Sequence, residues 1–86
     1  MKTIELFDTV TNIKPIPKER LTLVELNSQS IQYLPSGQVG TLVEIYNEVN
    51  PHQYLVEFAD TQGREYAMAT LKADEILVLH YELTLA

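Results

Sequence analysis

Apolar and polar positions alternate most regularly between residues 37 and 58. There Gly37-Gln38-Val39-Gly40-Thr41-Leu42-Val43-Glu44-Ile45-Tyr46 and Gln53-Tyr54-Leu55-Val56-Glu57-Phe58 flank the polar stretch Asn47-Glu48-Val49-Asn50-Pro51-His52. The β-branched and aromatic content predicts a β-hairpin, because Asn and Pro in the intervening stretch stop strand pairing and favour a turn. In the second arm Tyr54, Val56 and Phe58 share one face and Leu55, Glu57 and Ala59 the other, so the aromatic face is expected to be core. Gly40 lies inside the first arm, where glycine marks a bulge, a sharp bend or a close backbone approach; the expectation is a bend, ahead of a ligand-contact role.

The same reading extends to the rest of the chain. Residues 4–13 predict a first strand, ended by Lys14-Pro15-Ile16-Pro17, whose prolines remove ladder donors. A long excursion over 15–36 follows, in which residues 21–26 and 31–34 predict a small extra hairpin around Asn27-Ser28-Gln29-Ser30. Asp60-Thr61-Gln62-Gly63 predicts a tight turn, with Asp at the first position of a type I turn and Gly at the last. Residues 64–70 predict a strand with Tyr66 and Met68 on one face and Ala67 and Ala69 on the other. Residues 71–75 then predict one short helical turn, and 76–83 a last strand whose continuous apolar start suggests burial on both faces or a missing partner surface.

Five to six short strands with tight turns predict a mainly β fold, a small SH3-like barrel, because closure removes exposed strand edges. An OB-type barrel fits less well, since it carries a longer helix than this chain has room for. With 86 residues, the expectation is one domain, 1–86, with a small core.

Composition narrows the function classes. There is no cysteine, so disulfides, thiolate metal sites and a Cys nucleophile are excluded. The net charge of -6 opposes phosphate backbones, where Lys and Arg supply most of the affinity, and the basic residues are scattered. No apolar run spans a bilayer and the N-terminus lacks a signal-peptide core, which predicts a cytoplasmic protein.

Signals for chemistry are thin. His52 and His80 stand alone, without the spacing that places two metal ligands together. Ser28, Ser30 and Ser36 lie in turns, where their backbone hydrogen bonding explains them. Asp74-Glu75 reads as a cap on a helical turn, and the three glycines form no phosphate loop. The expectation is a protein that is not an enzyme and has no cofactor or metal.

Five segments carry a resemblance: Leu6-Phe7-Asp8-Thr9-Val10, Gly37-Gln38-Val39-Gly40-Thr41-Leu42-Val43-Glu44, Tyr54-Leu55-Val56-Glu57-Phe58-Ala59-Asp60, Gly63-Arg64-Glu65-Tyr66-Ala67 and Leu71-Lys72-Ala73-Asp74-Glu75-Ile76. In this order the chain resembles a family of small bacterial proteins, common in cyanobacteria, known only as a domain of unknown function. The resemblance implies a compact β-barrel in a bacterial cytoplasm. Because such proteins are sometimes encoded beside toxin-like or nuclease-like proteins, it also implies an antitoxin, immunity or accessory role. The Gly37 to Glu44 portion is also similar to a motif of ribosomal and transcription-factor SH3-like domains, whose surroundings are basic where these are acidic.

The leading expectation is therefore a protein-interaction module presenting tyrosines and an acidic surface to a protein partner, with Tyr33, Tyr46 and Tyr81 as the candidate interaction surface. One alternative is a nucleic-acid-binding barrel of ribosomal type. Another is a self-associating subunit, a homo-oligomer paired through the edge strands 76–79 and 21–26.

Overall fold

The computed structural model describes residues 4–24 and 31–79. Eight strands are present among them: β1 (Thr9–Asn12), β2 (Ile16–Pro17), β3 (Leu21–Leu23), β4 (Tyr33–Leu34), β5 (Val39–Tyr46), β6 (Gln53–Ala59), β7 (Glu65–Lys72) and β8 (Ile76–Val78). Six of them form an antiparallel sheet in the order β3-β7-β6-β5-β1-β8, and β2 and β4 form a separate pair. The mainly β class read from the sequence is the class observed. Among the described residues no ladder joins β3 to β8, so hydrogen bonding leaves the sheet open at both ends.

The expected central hairpin is β5–β6, with Leu42 opposite Val56 and Ile45 opposite Tyr54. Val43 is an extra residue there, since the register shifts between Leu42 and Glu44. Tyr54, Val56 and Phe58 are buried as the alternation predicts, and they pack with Val10, Leu42, Leu71 and Ile76 in one core. In β7 the alanines face that core: Ala67 lies opposite Phe58 and Ala69 opposite Val56, both buried. Small side chains across from large ones let the layers interdigitate at crystal-like density. The tight turn also forms, with Gly63 N–H donating to Asp60 O at 3.0 Å and Gly63 at φ 79°. Asp60 Oδ1 accepts from the N–H groups of Gln62 and Arg64, both at 2.9 Å.

Several elements differ from the reading. The first strand is shorter, because a turn over Glu5–Asp8 precedes it, closed by Asp8 N–H donating to Glu5 O. The extra hairpin has other partners than expected. Leu21–Leu23 pairs with β7, while Tyr33–Leu34 pairs with Ile16–Pro17, a segment whose prolines argued against pairing. Proline is tolerated there because a two-strand pair is all edge. Residues 25–30 of the expected hairpin lie outside the described residues, as do 80–83 of the last strand. Among the described residues two 3-10 turns occur rather than one helical turn, Lys18–Arg20 and Ala73–Glu75, and β7 runs on through Lys72. Of the two readings of β8, burial on both faces does not hold, since Ile76 is buried and Leu77 is 53% exposed.

One polar residue that the pattern does not reveal ties β1 to the excursion. Asn12 is 1% exposed. Its Nδ2 donates to Lys14 O at 2.8 Å and to Pro35 O at 2.9 Å, and its Oδ1 accepts from Gln38 N–H at 2.9 Å. One side chain thus closes the base of the excursion over 15–36.

A second polar device spans the open ends of the sheet. Arg20 immediately precedes β3 and Glu75 immediately precedes β8; their side chains form a forked ion pair at 2.7 and 3.0 Å. Arg20 Nη2 also donates to Thr70 O at 3.1 Å, and Lys72 N–H donates to Glu75 Oε1 at 2.9 Å. The hydrogen bond from Arg20 is the main reason that Glu75 titrates at about 2 instead of 4.5, against the opposing effect of burial. A carboxyl with a depressed folded pKa contributes stability above its unfolded pKa and loses it as pH falls. The strap should therefore act in full above pH 4.5 and vanish towards pH 2. Because Arg20 is partly solvated, we expect about 1–2 kcal/mol from it. Urea denaturation at pH 7 and pH 3 should show that this part of the acid loss is missing in Glu75→Gln, and equal acid sensitivity in the two proteins would refute the strap.

Candidate interaction surface

The three tyrosines expected to face solvent have different fates. Tyr33 lies on β4 opposite Pro17 and is 54% exposed. Tyr46 ends β5 opposite Gln53 and is half-buried, because it lines a depression instead of standing clear of the surface. Tyr81 lies outside the described residues. Tyr33 and Tyr46 belong to different sheets, so they are not parts of one strand surface.

The depression beside Tyr46 has a volume of about 420 Å³ and is lined by Glu44, Ile45, Tyr46, Glu48, Val49, Gln53 and Thr70. The hairpin builds it. Glu44 and Tyr46 lie two apart on β5, past the Val43 bulge, and Glu48 and Val49 come from the loop whose Asn and Pro end the strand. Among the described residues neither Glu44 nor Glu48 is in an ion pair, whereas Arg20 and Arg64 are paired with Glu75 and Asp60. The depression therefore joins an aromatic ring and two aliphatic side chains to two uncompensated carboxylates.

Further along the sheet, Glu57 lies opposite Thr41 and Met68, and Glu65 opposite Ala59. The Glu65 carboxyl is pushed above its usual range by a hydrogen bond with the Glu57 carboxyl, then by burial and by the charge of Glu57. Beside Glu57, the Glu65 carboxyl thus retains its proton more readily than in water.

Two smaller depressions, each of about 300 Å³, are of other character. One is lined by Arg20, Thr22, Leu55, Met68, Ala69 and Thr70, and there the guanidinium is already held by Glu75 and the Thr70 carbonyl. The other lies around Thr9, Val39, Thr41 and Asp60, whose carboxylate is held by Arg64 and the turn amides. His52 is exposed, and His80 lies outside the described residues. Among the described residues no three His, Asp or Glu side chains cluster in a way that could hold a metal ion.

Sequence reasoning named Tyr46 and, separately, the acidic crowding of Glu44, Glu48, Glu57 and Asp60 around the Gly37–Glu44 portion, but did not bring Glu44 and Glu48 together with Tyr46. Glu44 and Glu48 are four apart across a strand end, and their convergence depends on the bulge and the loop path. A family model described as "Domain of unknown function (DUF4926)" matches residues 6–78. No curated protein and no solved structure matches the chain.

Proposed function

Because the chain belongs to the DUF4926 family, whose description assigns no activity, we propose a function from its own geometry: a protein-interaction module that receives basic side chains of a protein partner in the depression at Tyr46. The observation that carries this reading is the pairing of Tyr46 and Val49 with the carboxylates of Glu44 and Glu48, neither in an ion pair among the described residues. A Lys or Arg side chain fits such a site. Its aliphatic stem packs on the ring and the valine while its charged head meets the carboxylates. The net charge of -6 adds long-range attraction for a basic partner and would speed encounter at low salt. An antitoxin, immunity or accessory role towards a co-encoded basic protein is the form of this function that we favour, acting by binding rather than catalysis, in the cytoplasm.

The test is co-expression with the proteins encoded beside it, with a tag on one neighbour. We expect co-purification that weakens at high salt and is lost in Glu44→Lys/Glu48→Lys; failure to capture any neighbour, or capture indifferent to the double substitution, would end the proposal. A second reading, self-association, draws on one specific observation. The segments expected to pair with another copy include β3 and β8, the two ends of the six-stranded sheet, and β8 carries the exposed Leu77. A monomer by light scattering at high concentration would remove it.

A further inference from the structure

The turn before β1 holds a backbone outlier. Phe7 has φ 68°, the one positive φ of a non-glycine residue among the described residues. Asp8 N–H donates to Glu5 O at 3.2 Å, and Glu5 N–H donates to Asp8 Oδ2 at 2.8 Å, so Leu6 and Phe7 form the centre of a closed four-residue turn. Phe7 N–H then donates to Leu42 O at 2.7 Å, while Leu42 N–H donates to Asp8 O at 3.0 Å. Two residues, Phe7 and Asp8, thus oppose the single Leu42. This is a β-bulge whose first residue is left-handed, a position that glycine occupies by default. A bulky aromatic residue there is strained, and packing does not offset the strain: Phe7 is 72% exposed and its neighbour Leu6 is 50% exposed.

The turn itself and the β5 segment it bonds to carry charges of one sign. Glu5 and Asp8 flank it within the turn, and Glu44 lies two residues past Leu42, whereas residues 4–13 and 38–50 contain no Lys or Arg. Glu44 also lines the depression at Tyr46.

We propose that the Leu6–Phe7 tip is a preorganised hydrophobic anchor that inserts into an apolar pocket, rimmed by Lys or Arg, on the partner protein. The inference rests on the interaction reading above and names a second contact for it. Four hydrogen bonds fix the turn before binding, so little backbone freedom is lost when the ring docks. A rigid aromatic side chain entering a pocket is the usual form of an energetic hot spot. The acidic surround disfavours a second copy of the chain, which would set like charges against each other, and an anionic membrane for the same reason.

The experiment is a random-peptide display selection on the full chain. Selected peptides are then synthesised and titrated against wild type, Phe7→Gly, Phe7→Asn and Glu48→Lys. We expect the peptides to combine aliphatic or aromatic residues with Lys or Arg, and both Phe7 variants to bind at least about 10-fold more weakly. The same Phe7→Gly protein should melt about 5 °C higher, because the left-handed strain is gone. A lower melting temperature in Phe7→Gly would mean that the ring serves the fold, and would overturn the proposal. Unchanged binding in both Phe7 variants would also overturn it, yet leave the depression reading intact if Glu48→Lys abolishes binding. Selection of no peptide would sink both readings. Dimerisation of the wild type lost in Phe7→Gly would show the occupant to be a second copy and likewise end the proposal.

Discussion

Replacing Asn12 with alanine should destabilise the fold by about 3 kcal/mol, because three part-buried hydrogen bonds to backbone groups are lost at once. The carbonyls of Lys14 and Pro35 and the amide of Gln38 all bond to this side chain, at 2.8 to 2.9 Å. A neutral hydrogen bond contributes only about 1 kcal/mol net, but leaving a buried donor or acceptor without a partner costs about 1–3 kcal/mol each. Water can reach the exposed Lys14 and Pro35 and the half-buried Gln38, which keeps the sum near the lower end of that range. Asn12→Asp should fare no better. The carboxylate still accepts from Gln38 but presents charge to two carbonyl oxygens in a site that is 1% exposed. A domain of this size has a total stability of about 5–10 kcal/mol, so either variant should unfold at a clearly lower urea concentration. Amide exchange at Gly37 and Gln38 should quicken as well, since Gly37 N–H donates to Asn12 O at 2.8 Å. A midpoint shift worth less than about 1 kcal/mol in Asn12→Ala would show that the bonds are replaced by solvent at no cost.

Asn12 also marks where the sequence becomes illegible. The alternation in β5 and β6 and the Asp60–Gly63 turn were readable because their causes are local: side chains two apart share a face, and a turn is set by four neighbours. Asn12 acts on residues 23 and 26 positions away, and nothing in Val10-Thr11-Asn12-Ile13 distinguishes a buried staple from a strand end facing solvent. The excursion was misread for a related reason. Residues 21–23 and 33–34 are each strand-like, and proximity in sequence suggested that they pair with each other. In the fold they pair with β7 and β2 instead, at 69 and 16. Pairing choice is a property of the whole sheet, and local propensity carries little of it. The strap between Arg20 and Glu75 likewise joins residues 55 apart. Glu75 was readable as a cap, which it is, since it accepts from Lys72 N–H, but its larger role was not.

The candidate surface was legible only in part. Tyrosine as a recognition residue is a compositional statement, and it named Tyr33 and Tyr46 without saying which would have a binding environment. The carboxylates that give Tyr46 its environment come from both sides of a strand end. Phe7 was invisible as an outlier because left-handed φ has no signature at phenylalanine; the residue type argues for the opposite. Strain of this kind is read from the backbone and then traced to a use.

Gly40 gives the second large effect: Gly40→Ala should cost about 3 kcal/mol, although alanine in an open strand is ordinarily better than glycine by about 0.5–1 kcal/mol. The residue is buried between Val10 on β1 and Phe58 on β6. A Cβ added there would lie 2.7 Å from Glu57 O, 2.7 Å from Val56 Cγ1 and 3.1 Å from Phe58 Cδ1. Val56 and Phe58 are fully buried and cannot swing away, and the Glu57 carbonyl belongs to backbone held between two ladders. The glycine therefore serves close packing, which accounts for the residue that also suggested a nucleic-acid motif. Gly63→Ala makes a useful control. It has φ 79° and open space around it, so only backbone strain opposes the substitution, at about 1 kcal/mol. If contact is the cause, Gly40→Ala will be the worse of the two, and adding Val56→Ala to it will cost less than the separate effects combined, because the shortened side chain makes part of the room. Only part is regained, since the Glu57 carbonyl stays where it is. Equal losses at Gly40 and Gly63, or strict additivity with Val56→Ala, would mean that the core yields to a methyl group at this point and that backbone entropy sets the cost.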